Sequence, residues 1–237
     1  MNFTAYKHSI IKERPSISVK LFWIGVLIIT ITFLIYYIDN QTPPRNALSV
    51  ITNMLFFIGI VPILFAYVYQ FFDFEIVEIS DKGYLELNEE EIIIDHQKLI
   101  RYEEITDFDV KLIAFYNQKI NLAYRMPTER RSLGLSNGIK ITTDSQKIIL
   151  NFKLENSTHQ RKLEEVIKQL VINDKLKNID AKKLIHLIPT RFKKSEDYKD
   201  YVIKQIVANR INCTEGLLLH GYNSDKEAKE LRKKYCG

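Results

Sequence analysis

The chain has 237 residues, and its 34 Lys and Arg against 29 Asp and Glu give a formal net charge of +5. This charge is unevenly divided, because residues 1–72 hold five basic and two acidic residues, residues 73–173 hold 14 and 18, and residues 174–237 hold 15 and nine. The acidic middle excludes the continuous basic surface of a nucleic-acid-binding protein. The two cysteines, Cys213 and Cys236, are too few for a disulfide framework and are not spaced as paired metal ligands, so they indicate a reducing compartment.

Residues 21–72 are predicted to form a transmembrane helical hairpin. Residues 21–38 carry no charge and as a helix extend roughly 27 Å, close to the hydrocarbon thickness of a bilayer. Residues 47–72 are a second uncharged run, long enough to span with some tilt. The link at residues 39–46 is polar and short, so the two helices should be antiparallel neighbours.

Orientation follows from the basic residues that flank the helices. Those of the predicted N-terminal segment, residues 1–20, are Lys7, Lys12, Arg14 and Lys20. The link contains only Arg45, so the positive-inside rule places both termini in the cytoplasm. One alternative is a cleaved signal peptide, which needs a shorter apolar core and a small-residue cleavage site. The other is a pair of buried core helices, which should show a polar stripe.

The period of apolar residues changes to two after residue 73, which predicts β-strands. Asp81-Lys82-Gly83 is expected to be a turn between two of them, and a short strand follows at residues 91–95. The clearest hairpin pairs residues 138–143 with residues 146–152. Many short strands at regular spacing indicate a small antiparallel β-sandwich or barrel.

An amphipathic helix is predicted to cap this sheet. Ser157 and Gln160 have the spacing of a capping box, and an apolar stripe follows at helical spacing. The stripe consists of Leu163, Val166, Ile167, Leu170 and Val171. Residues 73–173 are therefore predicted to be one domain, and the fold class is α+β.

Three stretches of this domain are similar to the core pattern of one family. They are Leu99-Ile100-Arg101-Tyr102-Glu103-Glu104-Ile105, Gly138-Ile139-Lys140-Ile141 ahead of Ile148-Ile149-Leu150, and the helix that follows. On these residues the chain resembles bacterial pleckstrin-homology-like (PH-like) domains over about residues 75–172. Tyr102 stands where relatives often have Trp. Such domains often follow a pair of transmembrane helices, so the resemblance implies a multi-pass protein of the bacterial cytoplasmic (inner) membrane and supplies no catalytic residues.

Arg125, Arg130 and Arg131 lie in a predicted loop between two strands. Their clustering indicates an anion site for lipid headgroups or for an acidic partner. The alternative is a solvated loop without a ligand. The basic signature that eukaryotic relatives use for phosphoinositides is not recognisable in the chain.

Residues 174–237 are predicted to be a short helical extension. Asp180, Ser195 and Ser224 are expected to cap its helices, and the run 217–220 is interpreted as a buried strand or turn. The apolar stripes are too narrow for a separate core, so the helices should pack on each other and on the sandwich. The extension either completes the fold or docks a partner or a membrane surface.

The sequence predicts no catalytic residue, no cofactor and no metal site. None of the five histidines has the spacing of a metal protease or pairs with a cysteine at zinc-site distance. The leading hypothesis is a non-catalytic, membrane-anchored scaffolding or regulatory protein, with the bilayer and a protein as partners and no nucleic acid. Two alternatives remain: a subunit of a membrane complex that uses the hairpin as its interface, and an enzyme with a dispersed C-terminal site that includes His220 or Cys213.

Overall fold

The structure is a computed structural model that describes residues 2–41, 48–121 and 125–236. Two long apolar helices, an antiparallel sheet and further C-terminal helices make up these residues. The α+β class predicted from the sequence is confirmed. Arg45, on which the orientation argument draws, lies outside the described residues.

The described residues divide into two compact units, each built from separate stretches of the chain. The sheet unit comprises Met1–Ser9, Asp81–Ile113 and Ser136–Gly237. The hairpin unit comprises Ile10–Ser80 and Ala114–Leu135. The units are therefore interleaved along the chain, which differs from the consecutive domains that the composition suggests.

Seven strands form one open antiparallel sheet. They are β1 (Phe3–Arg14), β2 (Ile76–Leu87), β3 (Glu91–Ile94), β4 (Lys98–Arg101), β5 (Ile105–Lys111), β6 (Asn137–Thr143) and β7 (Lys147–Phe152). Their order across the sheet is β4-β3-β2-β1-β7-β6-β5. The strand at the centre of the sheet is thus β1, which begins at the third residue of the chain.

The separate N-terminal segment expected over residues 1–20 is not what the structure shows, because most of it is β1. Lys7 and His8 pair with Phe152 and Asn151 of β7, and β2 lies on the other side of β1. Lys7 and His8 are both buried. These polar residues interrupt the alternation of apolar and polar positions by which a strand is recognised, which explains why the pattern missed it.

Lys7 is accommodated in the sheet unit by two carboxylates. Its ammonium lies 2.9 Å from Asp95 Oδ2 and 3.2 Å from Asp81 Oδ2, and its side chain is only 6% exposed. Burial lowers the pKa of Lys7, but hydrogen bonds to Asp95 and Asp81 outweigh burial and raise it above its ordinary value. The N–H of Tyr84 and the Lys7 ammonium lower the pKa of the Asp95 carboxyl. Lys7 therefore stays charged and joins β1 to β2 and to the turn after β3.

The turn predicted at Asp81-Lys82-Gly83 is wrong, since β2 runs through it as one strand. Asp81 has φ 48°, so the local signal marks an irregularity inside the strand. Gly83 serves close packing, because a Cβ there would collide with the Asp95 carboxylate and the Lys7 side chain. Asp81 and Gly83 thus allow the ion pairs of Lys7 with Asp81 and Asp95 to lie against the sheet.

The predicted capping helix is present as α3 (Ser157–Ile172), and its apolar stripe is buried. Its N-cap is Asn156, whose side chain accepts the N–H of His159 at 2.8 Å, and not Ser157. The core of the sheet unit combines this stripe with one alternating set of strand residues. The largest fully buried strand residues are Phe3, Leu85, Leu87, Ile92, Ile100, Ile105, Phe108, Ile139, Ile141 and Phe152.

Four further helices belong to the sheet unit. They are α4 (Ala181–Leu187), α5 (Glu196–Val207), α6 (Cys213–His220) and α7 (Asp225–Tyr235). Asp107 of β5 forms ion pairs with Lys140 and with Lys183 of α4, and Arg191 pairs with Glu164 of α3 at 2.7 Å. The expectation that the extension packs on the sheet domain is confirmed.

Residues 217–220 are helical, so the prediction of a buried strand or turn is wrong. They form the second half of α6, and Leu218 is exposed. Asn212 caps this helix by accepting the N–H of Thr214 at 2.9 Å. Leucine is a good helix former. Asn212, four residues before Gly216, is the helix cap in the sequence that predicts α6.

The two cysteines form a disulfide between Cys213, at the start of α6, and Cys236, directly after α7. Their Cα atoms are 5.9 Å apart. The expectation from a reducing compartment would be two free thiols, whereas the structure joins the pair in one disulfide. Sequence separation alone did not reveal the pair, because two short helices fold the chain back on itself between the cysteines.

The predicted hairpin consists of α1 (Ile17–Gln41) and α2 (Ser49–Tyr69). Both helices are long and apolar enough to cross a membrane. Only 11% of the most apolar stretch of α1 and 17% of that of α2 is buried. The core helix of a soluble protein would be mostly buried, so this exposure speaks against the core-helix alternative.

The contact between α1 and α2 follows a seven-residue repeat of small or polar residues. The buried residues are Ser18, Gly25, Thr32 and Asp39 in α1, and Thr52, Gly59 and Ala66 in α2. A seven-residue repeat keeps one seam of each helix against the other. Small residues in such a seam let helix backbones approach closely, which is the usual packing of membrane helices.

Enlarging Gly25 should therefore loosen the hairpin. A Cβ at this position would lie 2.5 Å from Ile63 Cγ1 and 2.6 Å from the carbonyl oxygen of Gly59. Because one of these atoms is backbone, Gly25→Ala must push the helices apart, and we expect a loss of about 1–3 kcal/mol. Thermal unfolding of the full chain in detergent measures this loss. Leu27→Phe, on an exposed position, is the control, and equal stability of both variants would contradict the seam.

Candidate functional site

The arginines predicted as an anion site belong to the long connection between β5 and β6, in the hairpin unit. Residues 122–124 of this connection lie outside the described residues. The structure brings Arg130 and Arg131 together against the chain that leaves α2. The side chain of Arg125 is exposed.

The backbone of this connection is hydrogen-bonded to the residues that follow α2. The N–H groups of Arg130 and Arg131 both donate to Asp73 O, at 3.3 and 3.1 Å, and the N–H of Glu75 donates to Arg131 O at 3.1 Å. Phe74 and Arg131 also form a parallel β-bridge. The backbone at Arg130 and Arg131 is therefore held by the chain that follows α2.

Asp73 connects this element to the first turn of the hairpin. Its buried carboxylate accepts the N–H of Ser18 at 2.7 Å. The first N–H groups of a helix have no partner within the helix, so Asp73 supplies one to α1 from the end of α2. The start of α1, the chain that leaves α2 and the arginine connection therefore meet at Asp73.

Glu75 fixes the other side of the connection. Its Oε1 accepts the hydroxyl of Ser132 and the N–H of Leu133, both at 2.7 Å. The ring of Phe74 stacks on that of Tyr116, with centroids 5.6 Å apart. Because its carboxylate is directed to the Ser132 hydroxyl and the backbone of Leu133, Glu75 holds the connection without neutralising an arginine.

Arg130 is oriented by neutral groups at the end of α2. Its Nε donates to Gln70 Oε1 at 3.1 Å, and its Nη1 donates to the carbonyl oxygen of Asn121. Its guanidinium carbon lies 6.0 Å from the centroid of the Phe71 ring, at the outer limit of a cation–π contact. These contacts fix the direction of the side chain and leave its charge in place.

Arg131 is held in the same way. Its Nε donates to the carbonyl oxygen of Phe71 at 2.9 Å, and its Nη1 donates to Asn117 Oδ1. Asn117 and Asn121, which meet the two arginines, have φ values of 67° and 51°. Asparagine is among the few residues that tolerate this left-handed conformation, so their identity suits the turns that present acceptors to both guanidinium groups.

The two guanidinium groups have no acidic partner in the described part of the chain. The arginines that do form ion pairs there are Arg14, Arg191 and Arg210. Arg130 and Arg131 each use two N–H groups for the contacts above, of the five that a guanidinium carries. The site thus combines two adjacent positive charges with unused donors, which is the chemistry of a phosphate or carboxylate site.

Arg125 contributes to this region through its backbone. Its carbonyl oxygen accepts the hydroxyl of Tyr67, near the end of α2, at 3.2 Å. Phe71 and Phe72, which follow α2, are 58% and 63% exposed. Exposed aromatic residues beside basic ones at the end of an apolar helix are typical of the interface between a membrane and water.

Gln70, Asp73 and Glu75 were not singled out from the sequence, although they position the arginines. Gln70 lies within the second apolar run, which was expected to reach residue 72, and Asp73 and Glu75 are the first charged residues after it, whereas α2 ends at Tyr69. Polar residues at the end of the second apolar helix were the available signal. They do not reveal a partner segment nearly 60 residues away, which only the three-dimensional fold supplies.

The residues suggested for a C-terminal enzyme site do not converge. Cys213 is bonded to Cys236, and His220 Nδ1 lies 2.7 Å from the carbonyl oxygen of its neighbour Gly221. Among the described residues, no group of three or more His, Cys, Asp and Glu side chains is arranged to hold a metal ion. These residues are therefore accounted for by local contacts.

Comparison of the chain with protein-family models, with curated proteins and with solved structures finds no match. The geometry of the hairpin and of the arginine connection is accordingly the basis for any assignment of function.

Proposed function

We propose that the chain is a non-catalytic, membrane-anchored binding or scaffolding protein that presents a PH-like sheet domain at the cytoplasmic face of a bacterial membrane. The observation that carries this proposal is the position of the hairpin in the chain. α1 and α2 lie between β1 and β2, which are neighbours in one sheet. The anchor is thus inserted into the domain that it tethers.

This insertion constrains the topology of the membrane segment. Phe3–Ser9 of β1 and Asp81–Leu87 of β2 belong to the same sheet, so both ends of the hairpin must emerge on one side of the membrane. Two antiparallel spans satisfy this condition. A cleaved signal peptide does not, because cleavage after α1 would remove β1 from the centre of the sheet.

The distribution of basic residues supports a cytoplasmic sheet domain. Lys20 lies in the first turn of α1, and the arginine connection adds Arg130 and Arg131 at the same end of the hairpin. The other end has Arg45 as its one basic residue in the sequence of the link. The positive-inside rule then favours the cytoplasm for the sheet domain.

The PH-like character of the domain is supported by the sheet and its capping helix. One strand of the seven-stranded antiparallel sheet precedes the hairpin in the chain and six follow it, and α3 follows the last strand, as the resemblance implies. Tyr102, at the position where relatives often have Trp, is 1% exposed and donates its hydroxyl to the carbonyl oxygen of Asn88 at 2.9 Å. Its role is that of a core residue.

A domain held on the membrane meets membrane-bound partners at a raised effective concentration, without any new contact. The test is the location of the full chain in the cell. We expect the protein to remain in the membrane pellet after carbonate extraction, and a reporter fused after residue 237 to be active only in the cytoplasm. Release by carbonate would contradict the anchor, and reporter activity outside would contradict the orientation.

A further inference from the structure

We infer that Arg130 and Arg131 form a binding site for the phosphate of an anionic phospholipid headgroup, at the cytoplasmic end of the hairpin. This inference deepens the proposed function and rests on it, because the ligand is supplied by the membrane that the hairpin crosses. The occupant is a lipid and not a soluble anion, since exposed apolar side chains adjoin the charged groups.

The first support is depth. Arg130 and Arg131 are hydrogen-bonded through their backbone to Asp73, four residues after the end of α2. The end of a spanning helix lies at the level of the headgroups. Phe71 and Phe72 are exposed between the helix and the arginines, where their rings can insert among the upper acyl chains.

The second support is charge. The buried Lys7 is matched by two carboxylates, and Lys140 and Lys183 share Asp107. Arg130 and Arg131, both half-buried, are surrounded instead by the neutral acceptors of Gln70, Asn121, Asn117 and the Phe71 backbone. Neither guanidinium group has an acidic partner within ion-pair distance among the described residues, so a bound anion would supply the counter-charge that the protein does not.

The third support is preorganisation. Nε and Nη1 of each arginine are already bound to the protein, so the direction of each guanidinium group is set before a ligand arrives. Among the described residues, Nη2 of neither side chain makes a hydrogen bond. A planar guanidinium with free N–H groups is well suited to phosphate oxygens, and little side-chain entropy is lost on binding.

The experiment uses the full chain purified in a neutral detergent and titrated with short-chain phosphatidylglycerol or phosphatidylcholine, with native mass spectrometry as the readout. We expect wild-type protein to bind phosphatidylglycerol roughly thirtyfold more tightly than phosphatidylcholine, as two basic side chains near an anionic surface would give. Arg130→Gln with Arg131→Gln should abolish this preference. The matched control, Lys233→Gln with Lys234→Gln, removes the same charge from exposed positions of α7 and should retain it.

Equal affinity of the wild type for both lipids would overturn the inference, as would an unchanged preference in the double arginine variant. Should that variant fail to fold, the comparison of the two lipids with the wild type decides. Arg130→Lys with Arg131→Lys keeps both charges and should retain the preference for phosphatidylglycerol. A third arm with inorganic phosphate identifies a soluble anion as ligand if it competes as well as phosphatidylglycerol. A protein that is extracted by carbonate contradicts the anchor itself, whereas an integral protein without lipid preference contradicts only this site.

Discussion

A chain that begins at residue 73 should not fold, whereas a chain in which residues 15–75 are replaced by a short turn should fold as a water-soluble protein. The first change removes β1 from the centre of the sheet, between β2 and β7. It exposes the backbone of both neighbours and leaves Asp81 and Asp95 without Lys7. Loss of the central strand should exceed the whole stability of a domain, typically 5–15 kcal/mol.

The second change keeps every strand. β1 and β2 are neighbours, and Arg14 near the end of β1 pairs with Glu78 near the start of β2 at 2.6 Å, so a two-residue Asn-Gly turn can join them. The second break in the sheet unit also lies between antiparallel neighbours, since Lys111 of β5 pairs with Gly138 of β6. A short loop can therefore replace residues 114–135, whose partners in the hairpin unit are gone.

Circular dichroism and thermal unfolding measure the difference between the two chains. The turn-linked chain should stay soluble without detergent and unfold cooperatively, and the chain from residue 73 should aggregate or lack a transition. A Lys7→Met substitution in the turn-linked chain is an internal check, because it leaves the carboxylates of Asp81 and Asp95 unpaired beside the sheet and should lower the unfolding temperature. Cooperative unfolding of the chain from residue 73 would show that β1 is dispensable.

The elements with a strong local period were predictable from the sequence. The hairpin of β6 and β7, the helix α3 and the two apolar helices follow apolar spacings that side-chain burial imposes. β1 was not predictable in this way, because Lys7 is buried by means of Asp81 and Asp95, which lie more than 70 residues further along the chain. Contacts with distant residues, and not an alternation of apolar and polar residues within β1, therefore specify this strand.

The candidate site shows the same division between local and distant information. The clustering of Arg125, Arg130 and Arg131 was visible, and it predicted an anion site. The sequence did not show which of the arginine side chains the end of α2 orients. Gln70 and Phe71 orient Arg130 and Arg131 from 60 residues away, whereas Arg125 shares only its backbone with the hairpin. Proximity in sequence did not distinguish Arg125 from the two arginines whose side chains the end of α2 orients.

Reduction of the disulfide between Cys213 and Cys236 should release α7 from the sheet unit. None of the residues of α7 is buried, and an isolated helix of this length is marginal in water. A direct side-chain contact from α7 to α6 is the hydrogen bond from Arg232 Nη2 to Thr214 Oγ1 at 2.6 Å, between exposed groups. The disulfide closes a loop with a sequence separation of 23 residues, and such a closure contributes about 3 kcal/mol in the chain-entropy model.

Limited proteolysis with trypsin measures the release, because α7 contains five Lys and Arg residues. The oxidised protein should resist cleavage in α7, and the reduced protein should be cut there about a hundredfold faster, as the loss of about 3 kcal/mol implies. Cys236→Ser should be cleaved at the fast rate with or without reductant. Equal protection of α7 in reduced and oxidised protein would mean that the helix is held without the disulfide.

The same pair of cysteines reports on orientation. A cytoplasmic sheet domain meets a glutathione pool that keeps thiols reduced, whereas a domain on the outer side keeps its disulfide. The proposed orientation therefore predicts that both cysteines react with a thiol-alkylating polymer when cells are quenched with acid and the precipitated protein is then redissolved in denaturant near neutral pH, and that α7 is released in the resting cell. Resistance of both cysteines to alkylation would place the sheet unit outside. Lys20, Arg130 and Arg131 would then be an exception to the positive-inside rule, while β1 and β2 would still require both ends of the hairpin on one side of the membrane.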